Sequence, residues 1–365
     1  MESLNSMSNL FFKALIGLLF FPIVSSAQLT GSTGETHKEV QPLFVKPNTD
    51  FQSEASINWQ NRSSDFGPIP PGMEVYSFEG MYQNKAFRAF YVIADPGSGS
   101  LQMEHDTTQN RRLTPSGFYE KNNHPVLVVN TSFFSFKDNL NLNVIVNRGR
   151  LLAYNQHTIT GRGVDSGQYY HPFVSALGIN KKGEMDVAWT FTAKNKRKPY
   201  ATQLVPDLYK DSQYEFNFAT AKKSTTTLSH FSSSMQLKRW KMQTVVGGGP
   251  VLVQNSSVNI TNNEERKFAG KAIHDAHPRT AIGYTKEGKI LVLVIEGRNP
   301  GVAAGATLTE TAALLVQLGC VEALNLDGGG SSCLLINGME TIRPSDKEGQ
   351  RAVPAAMVWK VKGER

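Results

Sequence analysis

Cysteine is nearly absent from this sequence: Cys320 and Cys333 are the only two in 365 residues. That excludes a disulfide-stapled scaffold. Both lie in apolar stretches, so two buried free thiols are expected. Long apolar runs are missing after the first 27 residues, which leaves no candidate for a bilayer-spanning helix of ~20 residues. No helix-turn-helix, zinc-finger or RNP pattern occurs, so the common nucleic-acid modules are excluded. Charged residues make up only 19%, against 40% hydrophobic and 10% aromatic. This is ample material for a large core and argues against disorder. A β-rich unit of ~200–250 residues plus appendages accounts for the length without a second domain.

The N-terminus has its own grammar. Lys13 precedes the apolar run Ala14-Leu15-Ile16-Gly17-Leu18-Leu19-Phe20-Phe21, Pro22 breaks it, and Ser25-Ser26-Ala27 follows. A charge, a short apolar stretch and small residues at a cleavage point read as a secretory signal over residues 1–27. The mature chain is then expected to be exported, periplasmic or secreted. Residues 28–71 are polar and end in Pro68-Ile69-Pro70-Pro71, as in an arm or linker. One catalytic domain is expected over residues 72–365. The formal net charge is +7, and the leader's Glu2 and Lys13 cancel, so cleavage does not change it. Basic clusters at 194–198, 222–223 and 238–241 favour an anionic partner. A phosphate-bearing glycan suits an exported protein at least as well as nucleic acid does, although each cluster is equally explained as a solvated loop.

From Met73 onward, runs of four to eight apolar residues alternate with Gly, Asn and Asp, the signature of strands. Hairpins are expected over 176–189, around Asn180-Lys181-Lys182-Gly183, and over 281–295, around Lys286-Glu287-Gly288. Thr307-Leu308-Thr309-Glu310 spells a capping box that opens a helix, which Gly319 stops. Segment 281–336 therefore reads hairpin, helix, strand, turn, strand. The fold class is α+β: a strand-rich mixed sheet with few helices.

Several short segments carry side chains suited to chemistry. In Ala323-Leu324-Asn325-Leu326-Asp327-Gly328-Gly329-Gly330-Ser331-Ser332 a strand ends in a carboxylate, and three glycines let backbone N–H groups approach an anion. A plain Asp-Gly turn fits the same residues. Gly247-Gly248-Gly249-Pro250 is a second glycine run, equally readable as a sharp turn. His277-Pro278-Arg279-Thr280 pairs a proton carrier with a fork-shaped phosphate ligand. His274 and His277 make an H-x-x-H without companion metal ligands, so no metal site is expected. Glu296-Gly297-Arg298 closes the second hairpin, and Asn130 ends a buried-looking strand before Phe133-Phe134.

Taken in order, Asn130…Phe133-Phe134, Gly247-Gly248-Gly249-Pro250, Arg279-Thr280-Ala281-Ile282-Gly283, Glu296-Gly297-Arg298, Thr307-Leu308-x-Glu310-x-Ala312, Leu326-Asp327-Gly328-Gly329-Gly330-Ser331 and Arg351 resemble the phosphodiester glycosidase family. The likeness is dense over 277–336, thinner over about 90–270 and absent from the N-terminal arm; the leader is compatible with a bacterial exported member. Two positions depart from the family pattern. Thr131-Ser132 follow the asparagine where glycines are usual, and Glu296 stands where aspartate is common. The resemblance implies hydrolysis of a sugar C1–O–P linkage to a free sugar and a phosphomonoester. A phosphomonoester leaves without the full protonation that an alcohol needs. The site should therefore hold positive charge and one good carboxylate.

On this reading Asp327 is the principal carboxylate, as nucleophile or base, and Glu296 the second. His277 and Glu310 complete the catalytic candidates. Arg279, Arg298 and Arg351 hold phosphate, and Gly328, Gly329 and Gly330 add backbone donors. Asn130 and Ser331 orient oxygens, and Thr280, Asn325, Gly248 and Gly249 complete the substrate-binding set. No cofactor is required; a divalent cation near Asp327 is compatible with the pattern, but no ligand spacing demands one. Two rival readings remain: a non-catalytic binder of anionic glycans, and a glycosidase for neutral glycans.

Overall fold

The computed structural model describes residues 57–216, 237–269, 272 and 274–363. The expected leader and most of the expected arm, with the 222–223 cluster, lie outside the described residues. Residues 56–365 form one compact unit.

Strands dominate, in three main sheets and a small three-stranded one. The largest has eight strands in the order Gln60–Asn61, Met73–Tyr82, Lys85–Ala94, Ile290–Ile295, Arg279–Thr285, Cys320–Asn325, Val251–Gln254, Ser257–Val258. A second, of seven strands, has Met185–Phe191, Val174–Asn180 and Met242–Gly247 at its centre. A third, of five, places Leu127–Asn130 between Leu334–Ile336 and Ala355–Val361. Both expected hairpins form, pairing Val174–Asn180 with Met185–Phe191 and Arg279–Thr285 with Ile290–Ile295.

The strand-rich α+β class holds, but the expected mixed sheet is replaced by antiparallel pairing throughout the described strands. The reason shows in the crossover through the helix Leu308–Gln317. Ile290–Ile295 and Cys320–Asn325, joined through a helix, run in the same direction, yet Arg279–Thr285 lies between them and pairs antiparallel with both. A helical crossover ordinarily creates parallel neighbours; here the intervening strand prevents it.

Alternation explains the layers. Along Ile290–Ile295 every residue is buried. Ile290, Val292 and Val294 face a central core shared with Leu177, Trp189 and Trp359 of the other two sheets. Leu291, Leu293 and Ile295 face the opposite way, against Leu308, Ala312 and Leu315 of the helix Leu308–Gln317. A strand covered on both faces reads as a continuous apolar run. Similarly, Val128, Leu335 and Val358 of the third sheet cover Phe118 of the helix Pro115–Lys121.

The end of the expected arm belongs to this unit. Gln60–Asn61 pairs with Met73–Tyr82, Phe66 is in the central core, and Asn337 Nδ2 donates to the Phe66 and Pro68 carbonyls at 2.8 and 3.0 Å. Few apolar residues anchor residues 57–71, so composition alone reads them as linker. Both cysteines are free and buried; desolvation pushes the Cys320 thiol up to about 12.

The helix Leu308–Gln317 carries the expected capping box. The Thr307 hydroxyl accepts from the Glu310 N–H at 3.1 Å, and Glu310 Oε2 accepts from the Thr307 N–H at 2.7 Å. Gly319, at φ +85°, follows its C-terminus. Losing an N-cap side chain costs roughly 1 kcal/mol. Thr307→Ala is therefore expected to lower unfolding free energy by about 1 kcal/mol in urea titrations, with an unchanged denaturant slope.

Candidate active site

Asp327 stands where the chain leaves the largest sheet, after Cys320–Asn325, and turns toward the third sheet at Leu334–Ile336. That turn is pinned from below. Leu326 N–H donates to the Thr280 carbonyl and Asp327 N–H to the Thr131 carbonyl, both at 2.8 Å. Asn130, wholly buried, donates through Nδ2 to the Asp327 carbonyl at 2.6 Å. Its Oδ1 accepts from the Thr280 hydroxyl at 3.0 Å and the Cys333 N–H at 3.2 Å. Asn130 and Thr280 thus fix the backbone under Asp327 and have their polar atoms engaged within the protein. The Thr131-Ser132 departure fits here: Thr131 supplies the carbonyl, and the Ser132 hydroxyl donates to Asn141 Oδ1 at 3.3 Å.

The Asp327 carboxyl is pushed up to about 6 by desolvation, opposed by the Ser331 hydroxyl, the Arg351 charge, the Gly328 N–H and the Lys267 charge. Arg351 forks onto Asp346 at 2.7 and 2.8 Å and reaches the Ser331 hydroxyl at 3.4 Å. It also lies 5.4 Å over the ring of Phe136, which is 63% exposed.

A second group of cations lies at the same end of the largest sheet, Arg279 at the start of Arg279–Thr285 and Arg298 in the loop after Ile290–Ile295. Arg279 is buried; Nε donates to the Ala306 carbonyl at 2.9 Å and Nη2 to the Asp275 carbonyl at 3.2 Å. Burial and the nearby Arg298 charge bring its guanidinium down to about 10. Arg298, at φ +57°, sets Nη2 3.5 Å from His277 Nδ1. A Cβ added to Gly329 would meet Arg298 Nη1 at 3.3 Å, so the guanidinium lies over that glycine. Burial and these two arginines hold the His277 imidazole below its ordinary value. Among the described residues neither arginine forms an ion pair. Two adjacent guanidiniums without carboxylate partners carry uncompensated positive charge, which attracts anions.

Other predicted residues have different positions. Glu296 is buried, accepting from Asn299 Nδ2 at 2.7 Å, the Arg343 N–H at 3.0 Å and Arg88 Nη1 at 3.5 Å. It braces the turn that presents Arg298. The Glu310 carboxylate is used by its cap and by Lys85 Nζ at 2.6 Å. The glycines also act differently from expectation. Gly329 N–H goes to the Pro278 carbonyl, Gly248 N–H to Ser175 and Gly249 N–H to Asn325. A Cβ on Gly248 would sit 2.4 Å from the Asn325 carbonyl oxygen, and one on Gly249 2.3 Å from Glu265 Oε2. These two permit close approach of strands; their amides are not free for a ligand. Asn325 Nδ2 caps the Gly249 carbonyl at 3.3 Å, while its Oδ1 is buried without a partner among the described residues. His274 is exposed, and no three-membered group of metal-ligating side chains occurs among the described residues.

Sequence reasoning missed Glu265 and Lys267. Glu265 is fully buried; Oε2 accepts from the Ser175 N–H and hydroxyl, both at 2.8 Å, and Oε1 from Thr261, Val251 N–H and Trp189 at 2.7, 2.9 and 3.3 Å. Lys267 follows two residues later. Its ammonium lies 4.7 Å from the Phe133 ring centroid and makes no hydrogen bond or ion pair among the described residues. Desolvation brings it down to about 8, against the opposing pull of Glu265 and Asp327. The available signal was the charge run Glu264-Glu265-Arg266-Lys267, indistinguishable from a solvated surface turn.

Residues 178–359, a little under half of the chain, match the profile of the phosphodiester glycosidase family. That segment is similar to the phosphodiester glycosidase domain. The chain is 32% identical over 103 residues to the Bos taurus N-acetylglucosamine-1-phosphodiester alpha-N-acetylglucosaminidase, covering 26% of this chain and 19% of that protein. The Homo sapiens protein of the same name is 33% identical over 103 residues, covering 26% and 20%. The matched stretch thus spans about a fifth of the length of these curated relatives. The zebrafish N-acetylglucosamine-1-phosphodiester alpha-N-acetylglucosaminidase catalytic domain, solved auto-inhibited by its pro-peptide, shares the fold with a TM-score of 0.53. That match is 16% identical and covers 84% of this chain and 88% of the solved one.

The raised Asp327 carboxyl has a consequence for stability. Between its ordinary value of 3.8 and about 6 the folded chain holds a proton that the unfolded chain releases. This contribution is complete below the ordinary value and is lost as pH rises through about 6. Asp327→Asn removes the cost of the partly desolvated charge, so it should stabilise the fold by about 1–3 kcal/mol at pH 7–8. The gain should vanish near pH 4 in paired thermal denaturation series.

Proposed function

We propose that this domain hydrolyses glycosyl-1-phosphodiesters of the N-acetylglucosamine 1-phosphate type, breaking the sugar C1–O bond. The observation that carries this reading is a single desolvated carboxylate, Asp327, at the head of the glycine turn over which the unpaired Arg298 lies, with Arg279 next to that arginine. Water adds its oxygen to C1 and gives a proton to Asp327. The C1–O bonding pair stays with the phosphate oxygen, and the departing phosphomonoester is held by the two guanidiniums. The products are the sugar with a free anomeric hydroxyl and the phosphomonoester. A carboxyl that titrates near 6 is ionised at neutral pH yet basic enough to accept the proton. Glu296, fully engaged in bracing Arg298, contributes through that arginine.

The names of the bovine and human relatives supply the sugar–phosphate class. A pure anion binder has no use for a desolvated carboxylate beside its arginines, because the charge repels the ligand. A glycosidase for neutral glycans leaves the two unpaired guanidiniums without a task. Export from the cell agrees with the N-terminal leader, and no helix among the described residues is long and apolar enough to cross a membrane.

The direct assay follows free sugar and phosphomonoester from N-acetylglucosamine-1-phospho-6-mannose methyl glycoside by mass spectrometry. Release of both is expected, with a loss of roughly 10³-fold or more in kcat for Asp327→Asn. Near-normal turnover by that variant would remove Asp327 from the mechanism. The pH profile gives a second check. kcat/KM should rise as Asp327 ionises near 6 and fall as Lys267 loses its proton near 8. The Lys267 charge lowers the Asp327 value, so Lys267→Met should shift the acidic limb upward and abolish the alkaline limb.

A further inference from the structure

The loop of residues 131–142 has two flanks. One belongs to the site: the Thr131 carbonyl holds the Asp327 N–H, Phe133 lies under Lys267, and Phe136 lies under Arg351. The other flank, with Ser135, Asp138, Leu140 and Asn141, forms a wall of a separate cavity of about 650 Å³. The loop is fixed in that arrangement. Ser135 N–H donates to the Leu140 carbonyl at 2.9 Å, Leu142 N–H to Phe133 at 2.8 Å, and Gln156 N–H to Leu142 at 2.9 Å. Ser135 lines the cavity and its neighbour Phe136 touches the site, so the two spaces adjoin across one peptide unit, about 3.8 Å between Cα atoms.

The chemistry of the cavity differs from that of the site. Tyr214 is 62% exposed, Leu140 44% and Tyr154 37%, so flat and branched apolar surfaces face the ligand space. Between them stand the amide side chains of Gln109, Asn110, Asn141 and Gln156. The only formally charged lining residues are Asp138 and Lys194, which cancel. His157 also lines it; desolvation brings its imidazole down to about 4, so it is neutral at ordinary pH. Its Nδ1 is buried with no hydrogen-bond partner among the described residues. A pyranose ring has a C–H face that packs on aromatic or aliphatic surface and an edge of hydroxyls that bond amides. The volume falls within the ~300–1,000 Å³ of ligand sites. Charge balance disfavours a second phosphate.

We propose that this cavity is a subsite for a neutral oligosaccharide segment of the substrate, seating sugar units beyond the one that is hydrolysed. The assignment rests on the phosphodiester-glycan reading and narrows it: the substrate is an extended glycan and not a small phosphodiester. The cavity flanked by Tyr154 and Tyr214 supplies length selectivity, while the Asp327 site supplies the reaction.

The test uses binding, so that it stands apart from turnover. Mannotetraose and N,N′,N″,N‴-tetraacetylchitotetraose, both without phosphate, are titrated into the full chain by isothermal calorimetry and ligand-observed NMR, with inorganic phosphate saturating the arginine site. Saturable binding of at least one is expected, weakened roughly tenfold or more in Tyr154→Ala/Tyr214→Ala and equally present in Asp327→Asn. Leu140→Trp, which narrows the cavity from the loop side, should weaken the same ligand, and thermal melts of both variants confirm folding. Absence of binding by both sugars would overturn the proposal. So would binding that phosphate abolishes, or that the folded variants leave unchanged. Binding without any diester hydrolysis would leave the subsite standing and remove the reaction assigned to Asp327.

Discussion

Everything in the site leans on one buried carboxylate. Glu265 accepts from Val251 of the largest sheet, from Ser175 and Trp189 of the second, and from Thr261 at the start of its own short helix. A charge removed from water costs several kcal/mol unless its lone pairs are satisfied. Five donors and the nearby Lys267 charge oppose that cost, which desolvation nevertheless expresses as a raised carboxyl. The same contacts hold the two sheets at a fixed separation and set Lys267 beside Asp327. The glycines at 248 and 249 belong to this joint, since any side chain there would collide with Glu265 or with the Asn325 carbonyl.

Electrostatics in the site are arranged by degrees of neutralisation. Arg351 is matched by Asp346, Lys85 by Glu310 and Arg88 by Glu296. Arg279, Arg298 and Lys267 have no such counterpart among the described residues. Lys267 acts on the Asp327 carboxyl, and the Arg298 guanidinium lies over Gly329 in the turn after it. A solvated ion pair contributes little to stability; the functional content lies in which charges are left over.

The elements easiest to read were those whose signal is local. Thr307 and Glu310 sit three residues apart, and Gly319 closes the helix, so the cap was visible in the sequence. The Asn180–Gly183 turn and the strand ending at Asp327 were legible for the same reason. Relations across the chain were not. Glu265 acts by contacts with residues 175, 189 and 251, and nothing in Asn262-Asn263-Glu264-Glu265 distinguishes a buried anion from an exposed one. Glu296 has the sequence context of a catalytic acid, but its burial beside Asn299, Arg88 and Arg343 gives it a bracing task. The antiparallel arrangement escaped because the inserted strand Arg279–Thr285 precedes, in sequence, the crossover it interrupts.

That insertion also bears on which stretch of chain is autonomous. The recognisable segment, 178–359, contains Ile290–Ile295, whose outer neighbour is Lys85–Ala94, and most of Ala355–Val361, which lies between Leu101–Thr107 and Leu127–Asn130. A fragment cut at its borders would expose the edges of several apolar strands, the usual template for intermolecular pairing. It would also lack Asn130, the floor beneath Asp327. The stretch that the family profile matches is therefore smaller than the stretch that closes the sheets and floors the Asp327 turn.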